Sequence, residues 1–345
     1  MTERATNHER RATVSDFTER ELIERITRHL PPPPAWLPVA IGDDAAVVEP
    51  ERNRVDVLSV DAIVEGVHFD RAFTPARAVG HRALAVNLSD LAAMGAAPRL
   101  CLLSLALPAG LTIDDFDAMV EGVTTLAARY RVHVAGGNLT RSPGPLMIDI
   151  TVSGTAKRRQ VMTRSGARPG DELYVTGSVG GAAAGLHMLE ADATAISAAS
   201  SCTTRYLYPE PRVRTGLLAA RNRAATAAVD LSDGLADAVH QIALASGIGA
   251  VIDGDAVPVE PEARDWSARH GEDPLTSAIT GGDDYELLLA VRPRLGRRLV
   301  NVRRHGGIPL TKIGVCTEDR AVLLACGSGD GKRLQPLPAG FHHFR

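Results

Sequence analysis

Two stretches of this chain nearly repeat each other: Ala85-Val86-Asn87-Leu88-Ser89-Asp90-Leu91-Ala92 returns as Ala228-Val229-Asp230-Leu231-Ser232-Asp233-Gly234-Leu235-Ala236. One Asp-bearing unit in each half constrains the fold toward two related halves. A looser pair supports the same division. Ile41-Gly42-Asp43-Asp44 precedes an apolar run over 45–48, and Gly281-Gly282-Asp283-Asp284 precedes another over 285–291. Both pairs set carboxylates beside apolar segments, where an unneutralised charge is costly to desolvate. A metal ion is the natural neutraliser.

A length of 345 residues favours two domains over one. The formal net charge of −3 leaves no global basic footprint, so nucleic acid is not an expected partner. Cys101, Cys202, Cys316 and Cys326 form no C-x-x-C pair and are too sparse for a disulfide framework. Residues 1–11 are polar and lack the apolar stretch of a secretory signal, and the run 100–107 is too short to span a bilayer. The expectation is a soluble chain of the reducing cytoplasm, without a membrane partner.

Thr18-Glu19-Arg20-Glu21 has capping-box spacing, and Leu22, Ile23 and Ile26 continue it as one apolar stripe, which predicts a helix to about Leu30, stopped by Pro31–Pro34. Residues 55–60, 100–107, 131–135 and 146–152 read as strands, and 75–94 and 112–130 as helices. The exposed crossing Lys157-Arg158-Arg159-Gln160 marks the division, with a first domain over 1–152 and a second over 153–345. In the second, strands are expected at 172–176, 250–252, 286–291, 310–315 and 321–325, with helices from Gly180 and over 237–246. The fold class is α+β, two α/β domains with the first pattern echoed by the second.

Asp43/Asp44, Asp61, Asp90, Asn138, Asp230/Asp233 and Asp283 carry the candidate chemistry. Carboxylate oxygens, with an amide oxygen at Asn138, suit Mg²⁺ or Mn²⁺ rather than zinc. Magnesium keeps several waters and is completed by substrate phosphates, so dispersed carboxylates fit phosphoryl transfer better than a closed cage. Taken singly, each Asp has the alternative of capping a helix or closing a turn; capping, however, does not require Ala-Val-x-Leu-Ser-Asp twice. No P-loop pattern is present, and Gly327–Arg333 reads as a surface turn. Gly177-Ser178-Val179-Gly180-Gly181 follows an expected strand and opens a helix, either to cradle phosphate with its N–H groups or as a tight packing turn. Arg141, Arg164 and Arg168 pair with phosphate or stay solvated, and His68 meets substrate or serves structure.

The ordered set Ile41–Asp44, Asp61 with Glu65-Gly66-Val67-His68-Phe69, Asn87–Gly95, Gly136-Gly137, Arg164–Ala167, Tyr208-Pro209, Asp230–Leu235 and Gly281–Leu287 resembles the thiamine-monophosphate kinase family, over about residues 15–344. The resemblance implies ATP-dependent phosphorylation of thiamine monophosphate with Mg²⁺. It also implies the fold of aminoimidazole ribonucleotide synthetase, with an N-terminal sheet that forms a homodimer and a C-terminal mixed α/β domain. Carried over by position, Asp44, Ser59, Asp61, Asp90 and Asp230 are implied magnesium ligands, with Asp233 at a further metal position. Gly137, Arg164 and Ser232 match nucleotide contacts, His68 and Asp283 lie near thiamine monophosphate, and Phe341 or Phe344 packs on thiamine. The chain departs from the family at Val60, Asn138, Gly181 and Asp283, where Thr, Asp, Asp and Glu are usual; an uncharged Asn138 implies weaker metal attraction. The implied reaction is direct in-line transfer organised by Asp44, Asp61, Asp90 and Asp230. The alternatives are an aminoimidazole-ribonucleotide-synthetase-like ATPase and a non-catalytic nucleotide-binding regulator.

Overall fold

A computed structural model describes residues 11–193, 200–327 and 332–341. Helix α1 (Glu19–Arg28) begins as its sequence predicts: the Thr18 hydroxyl accepts from the Glu21 N–H while the Glu21 carboxylate takes the Thr18 N–H. The first sheet has the order β1-β4-β2-β3, from β1 (Val55–Val64), β2 (Ala97–Pro108), β3 (His133–Ser142) and β4 (Met147–Ala156). Strand β4 is antiparallel to both neighbours, and β2 runs parallel to β3. The chain leaves this sheet at Ala156, four residues beyond the end of the first domain as drawn from sequence. Strand β3 likewise runs through Gly136-Gly137-Asn138 to Ser142, beyond the strand over 131–135 expected from sequence.

Helix α2 (Ala76–Ala93) covers one face of this sheet and packs on α3 (Ile113–Tyr130). Fourteen of the eighteen residues of α2 are buried, including the polar Arg82, Asn87 and Ser89. A helix apolar nearly all round belongs in an interior, and α2 also meets α6 (Val213–Asn222) and β6 (Ala227–Asp230) of the second half. One core therefore runs from Leu84, Leu88 and Leu91 through Ala219 and Ala220 to Tyr285 and Leu287. The opposite face of the sheet leaves Leu58, Val60, Leu102 and Met147 exposed.

The second half is built on a mixed seven-stranded sheet of order β11-β10-β7-β9-β5-β8-β6. Besides β6, its strands are β5 (Glu172–Thr176), β7 (Gly249–Asp253), β8 (Leu287–Val291), β9 (Leu310–Thr317), β10 (Val322–Cys326) and β11 (Arg333–Pro336). Helices α4 (Gly181–Ala191), α5 (Ser201–Leu207), α7 (Leu235–Ser246), α8 (Pro261–Arg269), α9 (Pro274–Thr280) and α10 (Gly296–His305) complete it with α6. Among the described residues no helix is long and apolar enough to cross a membrane.

The near-repeat does not fold as a repeat. Its first copy lies wholly inside α2, whereas the second ends β6, turns through Leu231–Gly234 and enters α7. Where the first copy has Leu91 after Ser-Asp, the second has Gly234 at φ +95°, a conformation that stops a helix and that L side chains rarely adopt. A Cβ there would also stand 2.7 Å from the Gly281 carbonyl oxygen. The expected echo of one half in the other is thus one of sequence, overridden by a glycine and by strand pairing with β8.

Close approach of α2 and α3 rests on two glycines, since a Cβ on Gly80 would lie 1.9 Å from the Met119 oxygen and one on Gly122 2.1 Å from the Arg77 oxygen. Gly80→Ala is expected to destabilise the protein by roughly 1–3 kcal/mol through overpacking, read from its urea unfolding midpoint; an unchanged midpoint would contradict this packing.

Candidate active site

The acidic site lies on the seam between the halves. Asp61 comes from exposed edge strand β1, Asp90 from the C-terminal part of α2, and Asp230 from the end of β6. The Asp61 and Asp90 carboxyls are in hydrogen-bonding contact, and Asp90 also accepts from the Ser59 hydroxyl. Across the seam, Ser89 Oγ donates to Asp230 Oδ2 at 2.7 Å. Asn87 aligns β1 with α2, its Oδ1 accepting from the Asp61 N–H at 3.1 Å and its Nδ2 donating to the Ala83 carbonyl. The two copies of the sequence repeat therefore meet, with Ser89 of one touching Asp230 of the other.

Crowded carboxylates resist ionisation. Burial, followed by the charge of Asp90, pushes Asp61 up to about 7; Asp230 and Asp149 add smaller repulsions. Asp230 is likewise raised to about 7 by burial and then by Asp90, against the opposing Ser89 hydrogen bond and the Arg164 charge. The donors are all oxygen and are short of positive charge, which fits a hard divalent cation. Among the described residues no group of three or more His, Cys, Asp or Glu side chains is placed to hold a metal ion by itself, and magnesium commonly needs only one or two carboxylates beside phosphate and water.

The second acidic loop is laced onto this site. The Asp283 N–H donates to the Ser232 carbonyl at 2.8 Å, the Tyr285 N–H to Leu231 at 3.0 Å, and the Leu231 N–H to Glu286 at 2.9 Å. These bonds hold Asp283 at φ +67° and Tyr285 at φ +49°, which are strained values for non-glycine residues. Asp284 turns inward and accepts from the N–H groups of Gly180 and Ala182, at 2.6 and 3.1 Å. Burial nevertheless raises its carboxyl to about 6, opposed first by Arg205. The N–H groups at the start of α4 are thus already satisfied by Asp284, and Gly177–Gly181 is a packing turn rather than a phosphate cradle. Glu286, fully buried, is held by Arg205 at 3.0 Å, by Arg212 at 2.5 Å and by the Thr176 hydroxyl at 2.6 Å.

Asp44, Gly137 and Asn138 fall elsewhere. With Asp43, Arg20 and Arg28 they line an open groove of about 1100 Å³ beneath α1. One cross-strand row runs Asp61, Ile150, Leu103, Gly137, from one edge of the first sheet to the other. Three strand spacings separate Asp61 from Gly137 by roughly 14 Å. Gly137 is required because a Cβ would stand 1.9 Å from the Leu103 oxygen.

Of the other sequence candidates, Ser232 borders Asp283, and Arg164 is near enough to act electrostatically on Asp230. His68 Nδ1 accepts from the Val64 N–H at 3.1 Å, which puts the proton of the neutral ring on Nε2. The Phe341 N–H donates to the Asp233 carbonyl, so the backbone of Phe341 adjoins that turn while the residue is exposed; Phe344 lies outside the described residues. Arg205 fills the space a side chain at Gly181 would need, its Cδ 2.7 Å from where a Cβ would be. Asn87, Ser89 and Glu286 lie within the Asn87–Gly95 and Gly281–Leu287 motifs, and their tertiary partners, not their local pattern, give them their roles. Asp149, Arg82, Arg205 and Arg212 carried no local pattern, because only the tertiary fold gives them acidic neighbours.

The family model described as AIR synthase related protein, N-terminal domain, matches residues 42–156, and the corresponding C-terminal domain matches 168–325. The thiamine-monophosphate kinase of Escherichia coli (strain K12) is 38% identical over 313 residues, covering 89% of this chain and 92% of its own length. The crystal structure of thiamine-monophosphate kinase from Stenotrophomonas maltophilia K279a superposes with a TM-score of 0.80 at 36% identity, over 89% of this chain and 96% of that one. The structure of AaThiL complexed with AMPPCP and TMP has a TM-score of 0.72 at 31% identity, over 88% and 92% of the two chains.

Asp61 and Asp230 titrate near 7 when folded without metal and near 3.8 as ordinary side chains, so in that interval the folded state binds more protons than the unfolded one. Metal-free protein is therefore expected to gain stability as the pH falls from 8 toward 5, and to lose it as the carboxyls ionise on the way back up. Urea unfolding in chelator checks this. Asp61→Asn should flatten the slope; an unchanged slope would contradict the repulsion.

Proposed function

The chain belongs to the thiamine-monophosphate kinase family, and on that premise we propose that it transfers the γ-phosphoryl group of ATP to the phosphate of thiamine monophosphate, giving thiamine diphosphate and ADP. The observation that carries this reading is the seam cluster of Asp61, Asp90 and Asp230, assembled from both family-matched domains of a chain that its relatives match almost end to end.

The nucleophile is a phosphate oxygen that is already anionic at neutral pH, so the site needs no general base. The chain's task is to hold two polyanions in line and to suppress their repulsion. Asp61, Asp90 and Asp230, with the Ser59 hydroxyl, would hold Mg²⁺, which supplies charge neutralisation to both phosphates when bound. Arg164 adds a fixed positive charge beside Asp230. Asp283, His68 and Phe341 form the acceptor side, where the carboxylate suits the permanent cation of the thiazolium ring and the aromatic face suits its plane. Asp44, Gly137, Asn138 and Ser232 serve the nucleotide and its metal, and Asp233 provides a further metal contact. A second copy of the chain covers the apolar sheet face of Leu58, Val60, Leu102 and Met147, since exposed apolar patches of this kind mark association surfaces. The four cysteines are free thiols, which supports a reducing cytoplasm.

Measured formation of thiamine diphosphate from ATP and thiamine monophosphate tests the reading. ADP release stimulated by formylglycinamidine ribonucleotide instead would favour the ligase-like alternative, and nucleotide binding without any turnover would favour a regulator. Asp90→Asn is expected to lower kcat by about 10²-fold or more while melting stays within a few degrees of the parent; an unchanged kcat at saturating magnesium would remove Asp90 from the metal site.

A further inference from the structure

Arg82 is the largest fully buried side chain of the protein's described residues and keeps 1% of its exposure. It lies on α2, eight residues before Asp90, on the helix that supplies the acidic seam. Its guanidinium reaches across the seam: Nη2 donates to Asp283 Oδ2 at 3.1 Å and to the His68 carbonyl at 3.3 Å, and Nη1 donates to the Tyr206 carbonyl. The cation stands 4.2 Å over the Tyr206 ring, and its Nε has no hydrogen-bond partner. The other oxygen of Asp283 accepts from the Tyr285 hydroxyl at 2.9 Å. The pair is lopsided, because the Asp283 side chain keeps 33% of its exposure while Arg82 keeps almost none.

Stability alone does not account for this arrangement. A buried ion pair is often replaceable by apolar side chains at no loss, and here one guanidinium nitrogen is left unpaired. What the pair does is directional. With Arg82 on one oxygen and Tyr285 on the other, the Asp283 carboxylate is fixed in orientation while its side chain stays part-exposed, its backbone tied to the Ser232 carbonyl. The same guanidinium holds the backbone of His68, so one side chain joins the acceptor-side residues of both halves.

We propose that Arg82 is a positioning residue for the acceptor: it acts through Asp283, fixing that carboxylate to receive the cationic ring of the phosphate-bearing substrate. This rests on the kinase reading, in which Asp283 faces thiamine monophosphate. Lysine at position 82 keeps the charge but cannot span Asp283, His68 and Tyr206 together.

Steady-state kinetics of Arg82→Lys, Asp283→Asn and the double variant test the proposal. Loss of a charged hydrogen bond should raise KM for thiamine monophosphate about tenfold or more in Arg82→Lys and leave KM for ATP within about twofold. In the Asp283→Asn background the same change should add nothing further. Should Arg82→Lys fail to fold, Arg82→Met combined with Asp283→Asn removes cation and anion together, and its KM for thiamine monophosphate should equal that of Asp283→Asn alone. An unchanged KM for thiamine monophosphate, a parallel loss for both substrates, or multiplying effects in the double variants would overturn the proposal. A parent enzyme that makes no thiamine diphosphate would instead overturn the kinase reading.

Discussion

Repulsion among Asp61, Asp90 and Asp230 is the constraint around which the seam is organised. Asp230 is buried, Asp90 half-buried and Asp61 exposed at the sheet edge; crowding three carboxylates without a compensating cation is unfavourable, and Asp61 and Asp230 are accordingly raised to about 7. The scaffold holds them by neutral hydrogen bonds: Ser59 to Asp90, Ser89 to Asp230, and Asn87 to the backbone of Asp61. The two serine hydroxyls orient the Asp90 and Asp230 carboxylates, and Asn87 Oδ1, accepting from the Asp61 N–H, fixes the strand that carries Asp61, all without neutralising the acidic charge.

Helix α2 makes this arrangement possible because it is buried on nearly every side. Sheet, α3, α6 and β6 surround it, so Arg82, Asn87, Ser89 and Asp90 all project from one rigid element that is part of both halves' core. Gly80 and Gly122 let α3 lie against it. The acceptor side is held in the same way. Asp283 and Tyr285 keep strained backbone conformations because their N–H groups are tied to the Leu231–Ser232 turn and their side chains to each other and to Arg82.

Much of the fold was legible locally. The Thr18–Glu21 box, the helix over 112–130 and the strand at Glu172–Thr176 are short-range signals, and they appear where the local pattern placed them. The near-repeat misled about structure because identical short strings obey their context: Leu91 lets the first copy stay helical, and Gly234 turns the second. The two copies are nonetheless brought together, since Ser89 of the first donates to Asp230 of the second. The wide separation of Gly137 from Asp61 was not legible, because it depends on β4 and β2 coming between β1 and β3. Nor were Arg82, Arg205 and Arg212, whose acidic partners lie 201, 81 and 74 positions away in sequence.

Placement of the metal and phosphates at the seam is tested most directly by anomalous scattering from crystals grown with Mn²⁺, a nonhydrolysable ATP analogue and thiamine monophosphate. The expected result is a manganese peak among the Asp61, Asp90 and Asp230 carboxylates, with phosphate oxygens completing its shell. Peaks confined to the Asp43–Asp44 groove, with none at those three residues, would contradict it.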